Sequence, residues 1–294
     1  MDTGDLRVFE AVARLGGMNR AAAELNTVQS NVTARIKALE AGLGCTLFER
    51  HARGVTLTAA GRRLLPYADR IGRLLADARQ ATRDDGLPRG LLTVGSLETT
   101  AALHLTPLLA RYAADNPDVD LVLRTGTTRE LIGDVLEQRV DGAFVCGPVA
   151  HPELGEQVMF REELVVLAAP GVVSLDAIWP VAEMRIVVLR AGCSYRQMLE
   201  TLLARRGIPV QRQLEFGTLE AIFGCVGAGL GITLLPRALI GDVCRAGRVS
   251  MHALPPADSM VDTVFIRRRD GFASSALRAF LACTAGGFVE AEAA

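Results

Sequence analysis

The sequence has a single lysine, Lys37, which follows Ile36 rather than a glycine-rich loop, so no phosphate-binding P-loop is present. It has no Cys-x-x-Cys pair: Cys45, Cys146, Cys193, Cys225, Cys244 and Cys283 lie far apart, with no histidine at metal-ligand spacing. That pattern disfavours zinc and a disulfide scaffold, and leaves small buried hydrophobes in a reducing compartment as the expected role. His51, His104, His151 and His252 are too dispersed to nominate a site and are expected at the surface or as caps. Long apolar runs are missing as well. The longest uncharged stretch, Ala221 to Pro236, is 16 residues and holds Gly224, Gly227, Gly229 and Gly231, short and glycine-rich for a membrane span. A buried helix followed by a strand fits it better, and no membrane partner is expected. A basic-then-apolar leader is also lacking, because Asp2, Asp5, Arg7 and Glu10 precede any long apolar stretch; the expected compartment is the cytoplasm.

Catalytic constellations are equally sparse. The glycines at 224, 227, 229 and 231 miss G-x-G-x-x-G spacing, and Gly192-Cys193-Ser194-Tyr195-Arg196 ends in Arg where a nucleophile elbow needs Gly. The chain is therefore not expected to be an enzyme, nor to carry a cofactor or metal. What it does have is length for two or three globular units, a 50% hydrophobic share, and 22% charged residues spread without blocks. The net charge of −1 hides an asymmetry: residues 1–85 hold 13 Arg and Lys against 10 Asp and Glu, and the remainder 19 against 23. The basic excess lies where phosphates would be met.

Residues 5–45 read as three short helices. Leu6, Phe9, Val12 and Ala13 stripe the first, which ends at Gly16-Gly17, and Ala21, Ala22 and Leu25 stripe the second. In the third, Val28, Val32, Ile36, Leu39 and Leu43 form one buried face and leave Ser30, Thr33, Ala34 and Lys37 opposite. Leu47 to Leu57, with Arg50, His51, Arg53 and Gly54, reads as a basic-tipped hairpin. Thr58 then caps a helix to about Arg83, in which Leu64, Ala68, Ile71, Leu75 and Ala78 follow a heptad seam that implies a dimer. The polar, Gly- and Pro-containing stretch 84–90 is a linker. Beyond it strands at 91–94, 119–123 and 143–145 alternate with helices around 105–112 and 127–138, the pattern of a parallel sheet.

The N-terminal run Ala21-Ala22-Ala23-Glu24-Leu25, Val28-Gln29-Ser30-Asn31-Val32-Thr33, Ile36-Lys37-Ala38-Leu39-Glu40, Leu43-Gly44, Leu47-Phe48-Glu49-Arg50 and Val55-Thr56-Leu57-Thr58-x-x-Gly61 resembles the DNA-binding segment of LysR-type transcriptional regulators. The resemblance departs at Thr33-Ala34, where the family usually has Ser-Arg. It implies an α/β protein with an N-terminal winged helix-turn-helix (1–58), a long linker helix and hinge (59–89), and a C-terminal effector-binding domain (90–294) resembling type 2 periplasmic-binding proteins. That domain would comprise two Rossmann-like subdomains, one of about 90–160 and 264–290, the other of about 161–263. The implied partners are double-stranded DNA carrying an interrupted inverted repeat, RNA polymerase, further copies of the chain in a dimer or tetramer, and a small-molecule effector. By chemistry, Gln29 and Asn31 suit base edges, Arg35 and Lys37 phosphate or guanine, Thr27, Ser30 and Thr33 either, and Arg50 and Arg53 flanking phosphates.

Further motifs run towards the C-terminus: Gly192-Cys193-Ser194-Tyr195-Arg196, Thr218 before Leu219-Glu220-Ala221-Ile222, Gly229-Leu230-Gly231-Ile232-x-Leu234-Leu235-Pro236-Arg237, and Phe265-Ile266-Arg267-Arg268. Thr99-Thr100-Ala101 and Thr125-Gly126-Thr127 are similar to the glutamate-biosynthesis-regulator-like branch. Two strand-to-helix turns, Ser96-Leu97-Glu98-Thr99-Thr100 and Thr125-Gly126-Thr127-Thr128, would aim helix N-termini into one crevice, a setting for a small organic anion. Ser96, Glu98, Thr99, Thr100, Gly126, Thr127, Thr128, Cys146, Gly147, Ser194, Tyr195, Arg196 and Thr218 are the candidate effector residues, with Glu98 turned outward or bonded to Arg196. Effector binding would change the angle between subdomains and so the way an oligomer presents its paired winged helices. The alternative is a redox switch of the same architecture using Cys146, Cys193 or Cys225.

Overall fold

The computed structural model describes residues 1–51, 54–179 and 184–286, and the chain divides into two units, Met1–Asp84 and Asp85–Ala294. In the first, a capping box between Asp2 and Asp5 opens α1 (Thr3–Leu15), which ends on Gly16 at φ 64°. α2 (Met18–Glu24) and α3 (Gln29–Leu43) follow, then the antiparallel hairpin β1 (Phe48–His51) and β2 (Gly54–Leu57), then α4 (Ala59–Arg83). Phe9, Val12, Ala21, Val32, Ile36, Leu39 and Leu47 make the core. Thr58 caps α4, accepting from the Gly61 amide at 3.0 Å and donating to the Thr46 carbonyl at 2.8 Å. Gly61 is required there: a Cβ would stand 2.3 Å from the Leu47 carbonyl oxygen, so only glycine lets α4 approach the hairpin this closely.

Two expectations need correction. Val28 is the N-cap of α3, outside the helical repeat, and is 65% exposed; Leu43 at the other end is also exposed, so the buried stripe is Val32, Ile36 and Leu39. The apolar seam of α4 is shared. Leu64, Ala68 and Ile71 pack into this unit's own core, while Leu75 stands exposed beside Tyr67 and Leu74. Periodicity marks these positions as apolar, and α1, packed along α4, has taken the first three.

The second unit begins with β3 (Gly90–Ser96), a helical run made of α5 (Glu98–Thr100), a π turn (Ala101–Leu105) and α6 (Thr106–Asp115), then β4 (Val119–Thr125), α7 (Thr128–Leu136) and β5 (Gly142–Cys146). β3 pairs in parallel with both β4 and β5, and the fully buried β5 is a continuous apolar run. Next come β6 (Leu154–Ala168), β7 (Met184–Leu189), α8 (Ser194–Arg205), β8 (Val210–Phe216), α9 (Leu219–Gly227), β9 (Thr233–Pro236), α10 (Gly241–Arg245), β10 (Ser250–Ala253), α11 (Pro256–Ser259), β11 (Met260–Arg268) and α12 (Ser275–Gly286). The uncharged stretch at 221–236 is thus helix α9 and strand β9. Two of its glycines permit close packing: a Cβ on Gly227 or Gly231 would come within 2.6 Å of the Arg248 or Arg185 carbonyl oxygen.

Two strands join the halves of this unit, one half built on β3, β4 and β5 and the other on β7 to β10. β6 lies antiparallel to the whole of β11 over its first two-thirds, from Leu154↔Arg268 to Glu163↔Met260, with a register shift at Thr263/Val264. β11 pairs with β5 from Thr263 to Ile266, across that shift, and the end of β6 pairs with β9 and β10. One apolar core of Leu92, Val94, Leu105, Tyr112, Phe144 and Phe280 fills the space under β3, and another runs from Val145 through β6 to α8 and α9.

Candidate functional site

In the first unit, α3 presents Gln29, Ser30, Asn31 and Lys37 to solvent. The Asn31 amide donates to Thr27 Oγ1 at 2.9 Å, which fixes its side chain at the helix N-terminus. Gln29 and His51 also line a groove of about 400 Å³ between α2, α3 and the hairpin, together with Asn19 and Arg20, which the sequence reading missed. Two candidates are placed elsewhere. Arg35 folds back onto α1, donating to Asp5 Oδ1 at 3.1 Å and Asp2 Oδ1 at 3.4 Å over Gly4, because two carboxylates at a helix start are its nearest counter-charges. Thr33 turns its hydroxyl inward, where it is buried with no hydrogen-bond partner among the described residues. Of the hairpin arginines, Arg53 lies outside the described residues, and of Arg50 the structure describes the β1 backbone, paired with Val55.

In the second unit a cavity of about 50 Å³ lies between the two halves. Leu97, Glu98, Thr99, Thr125, Gly126 and Thr127 line it from the turns after β3 and β4; Leu189, Arg190, Cys193, Ser194 and Tyr195 line it from the turn between β7 and α8. A larger groove of about 570 Å³ adjoins it, lined by Thr128, Cys146 and Gly147 on one side and Ser194 and Gln197 on the other. The halves meet where Ser194 Oγ donates to Thr128 Oγ1 at 2.9 Å and where Gly192, at φ 99°, packs against Thr127.

Several candidates fall outside this cavity. Ser96 is fully buried and spends its hydroxyl on the Leu97 carbonyl at 2.9 Å. Thr100 is fully buried without a hydrogen-bond partner, one residue beyond the lining. Arg196 pairs with Glu200 at 3.0 Å and Glu215 at 2.8 Å instead of with Glu98. Thr218 caps α9 through the Ala221 amide. The helix N-termini are also less open to an anion than the spacing suggests. α5 is one turn, and α7 is closed by its own capping box, the Thr127 amide donating to Glu130 Oε2 at 2.8 Å. That contact holds the Glu130 carboxyl below its usual range.

Beneath Tyr195 lies a polar network that sequence reasoning missed. Glu162 on β6 is buried; Thr263 of β11 donates to its Oε2 at 2.9 Å, the Tyr195 hydroxyl reaches the same oxygen at 3.4 Å, and His104 Nε2 lies 3.0 Å from Oε1. His104, expected as a surface or capping residue, is held by this pairing and by stacking on Phe160 at 4.0 Å. Burial and Glu162 together push the Tyr195 phenol well up, so it stays a proton donor. Burial likewise pushes the Cys146 thiol up to about 11 and raises Cys193, which disfavours the thiolate a redox sensor needs. All six cysteines are free.

A family model for bacterial regulatory helix-turn-helix proteins of the lysR family matches residues 3–62, and one for the LysR substrate binding domain matches residues 85–288. The chain is 47% identical over 281 residues to YusT, an uncharacterised HTH-type transcriptional regulator of Bacillus subtilis (strain 168), covering 96% of this chain and 94% of that one. It is 44% identical over 276 residues to the HTH-type transcriptional regulator GltR of the same organism, covering 94% and 93%. Among solved structures, full-length CbnR complexed with its target DNA aligns at a TM-score of 0.61 and 25% identity, over 97% of this chain and 99% of that one. Both curated relatives are regulators, in keeping with the lack of catalytic motifs.

Proposed function

The chain is a DNA-binding transcription regulator of the LysR family with an effector-binding domain, and from that premise we propose that a small molecule entering the cavity between the subdomains controls how it engages DNA. The division is residues 1–58 for the winged helix-turn-helix, 59–89 for the linker helix and hinge, and 90–294 for sensing, its subdomains exchanging at the β6–β11 pair. The observation that carries the reading is the cavity itself, lined from both halves of the second unit, while the exposed face of α3 belongs to the first. A ligand that touches both halves binds one relative arrangement better than another, which is the differential affinity control requires. The exposed ridge of Tyr67, Leu74 and Leu75 on α4 supports self-association. A dimer or tetramer then presents paired α3 helices to an interrupted inverted repeat in the cytoplasm, where RNA polymerase is the further partner.

Sequencing genomic fragments retained by the full chain tests this, with an interrupted inverted repeat as the expected motif. Gln29→Ala should relax base preference at one position of each half-site by about 1–3 kcal/mol. Lys37→Ala should lower the salt slope of binding by about one per protomer, whereas Arg35→Ala, whose guanidinium serves α1, should leave it unchanged. Retained fragments without two-fold symmetry would overturn the paired-helix reading.

A further inference from the structure

The geometry points to an effector that carries both a carboxylate and an ammonium group, an amino-acid-like zwitterion, held between Arg190 and Glu98. This rests on the cavity reading above and narrows it. Those two residues are the charged groups of the lining among the described residues, one from each half of the unit. Neither has an ion pair among the described residues. Of the neighbouring charges, Glu130 accepts from the Thr127 cap and lies close enough to Arg190 to feel its charge, while Arg196 pairs with Glu200 and Glu215. A plain carboxylate would satisfy Arg190 and leave Glu98 facing it across a cavity of about 50 Å³. Like charges at such range repel, and this cost rises as closure removes water.

The end of the cavity near Glu98 is also rich in acceptors. The Tyr195 hydroxyl lies 3.4 Å from buried Glu162, and its phenol oxygen has the Thr99 hydroxyl as a neighbour. Beside it, Thr99 is 2% exposed, and its hydroxyl has the Tyr195 phenol as a loose partner. A loosely held hydroxyl in the cavity wall, next to the Glu98 carboxylate, fits an ammonium donor. Arg190, the cation of the lining, fits the carboxylate. A molecule with both groups draws the halves together by satisfying one charge on each, whereas a singly charged one satisfies one half only. The present cavity has room for one or two waters, so the ligand enters as the Ser194–Thr128 and Gly192–Thr127 contacts part.

The test uses the full chain and matched probes: the α-amino acids, the 2-oxo acids with the same side chains, and the corresponding amines. Calorimetry should find an amino acid that binds saturably, with its 2-oxo acid and its amine each at least tenfold weaker. Glu98→Gln should weaken the amino acid tenfold or more and leave the 2-oxo acid within twofold; Arg190→Met should weaken amino acid and 2-oxo acid alike and spare the amine. Both positions lie on turns, and an unchanged urea midpoint checks that the fold survives. A 2-oxo acid as tight as its amino acid would overturn the zwitterion and leave the cavity reading standing, as would saturable binding confined to carboxylates without an amine. Binding that ignores Glu98→Gln, Arg190→Met and a cavity-filling Thr99→Phe alike would overturn the cavity reading as well. No binding by any amino acid would overturn the proposal.

Discussion

Thr263→Val isolates one hydrogen bond at the junction of the two halves. Thr263 is fully buried, its hydroxyl donates to Glu162 Oε2 at 2.9 Å, and valine keeps the side chain's shape while removing the donor. The carboxylate retains His104 at 3.0 Å on its other oxygen and Tyr195 at 3.4 Å, too long to compensate. A hydrogen bond to a charged, buried acceptor contributes about 1.5–3 kcal/mol, and leaving the acceptor short costs a similar amount. For a unit of roughly 200 residues, each kcal/mol moves the thermal midpoint by about 2–4 °C, so a loss of roughly 3–12 °C is expected. Calorimetry on residues 85–294 reads this, with Thr263→Ser as the control that keeps the hydroxyl and drops the methyl. Serine falling as far as valine would refute the reasoning, because packing of the methyl, rather than the bond to Glu162, would then carry the effect.

Leu75→Glu places a charge on the exposed ridge of α4 and should yield monomers with weakened operator affinity, read by sedimentation; an unchanged oligomer would remove that ridge from the interface. Ile71→Glu, facing the unit's own core, should instead unfold residues 1–84. Burial, and then Asp69, raise the Glu10 carboxyl, so the folded state holds that proton more tightly than the unfolded one. The penalty is absent below about pH 4 and grows as pH rises through the folded value. Glu10→Gln should therefore raise the melting midpoint at pH 7 and give no gain at pH 3, a pattern that thermal denaturation at the two pH values would expose if reversed.

Local signals carried most of the architecture. Val32, Ile36 and Leu39 recur at helical spacing, Thr127 and Glu130 stand in capping-box register, and the apolar run of β5 marks a strand buried on both faces, so each element was legible from its own residues. What was not legible depends on partners distant in sequence. Arg35 looks like a DNA contact until α3 is packed on α1, where Asp2 and Asp5 claim it. The seam of α4 is apolar whether α1 or a second chain covers it. Ser96 and Thr100 belong to the right turn, yet both are fully buried, Ser96 spends its hydroxyl on the Leu97 carbonyl, and neither lines the cavity. The meeting of His104, Glu162 and Thr263 had no signal at all, since it depends on a π turn and on two strands about a hundred residues apart.

The nine-residue ladder between β6 and β11 governs what kind of motion the second unit can make. A pair of strands bonded along that length and shared by both halves is not a loose joint, because pivoting about one peptide would sever several backbone bonds at once. It is a torsion bar. Relative movement spreads as small changes of twist over many residues, with the shift at Thr263/Val264 as the place where the bar is least regular. Such an element stores elastic energy in proportion to the angle squared and returns it when the load is removed. A ligand held as proposed above would have to load that bar, and the bar would oppose its hold.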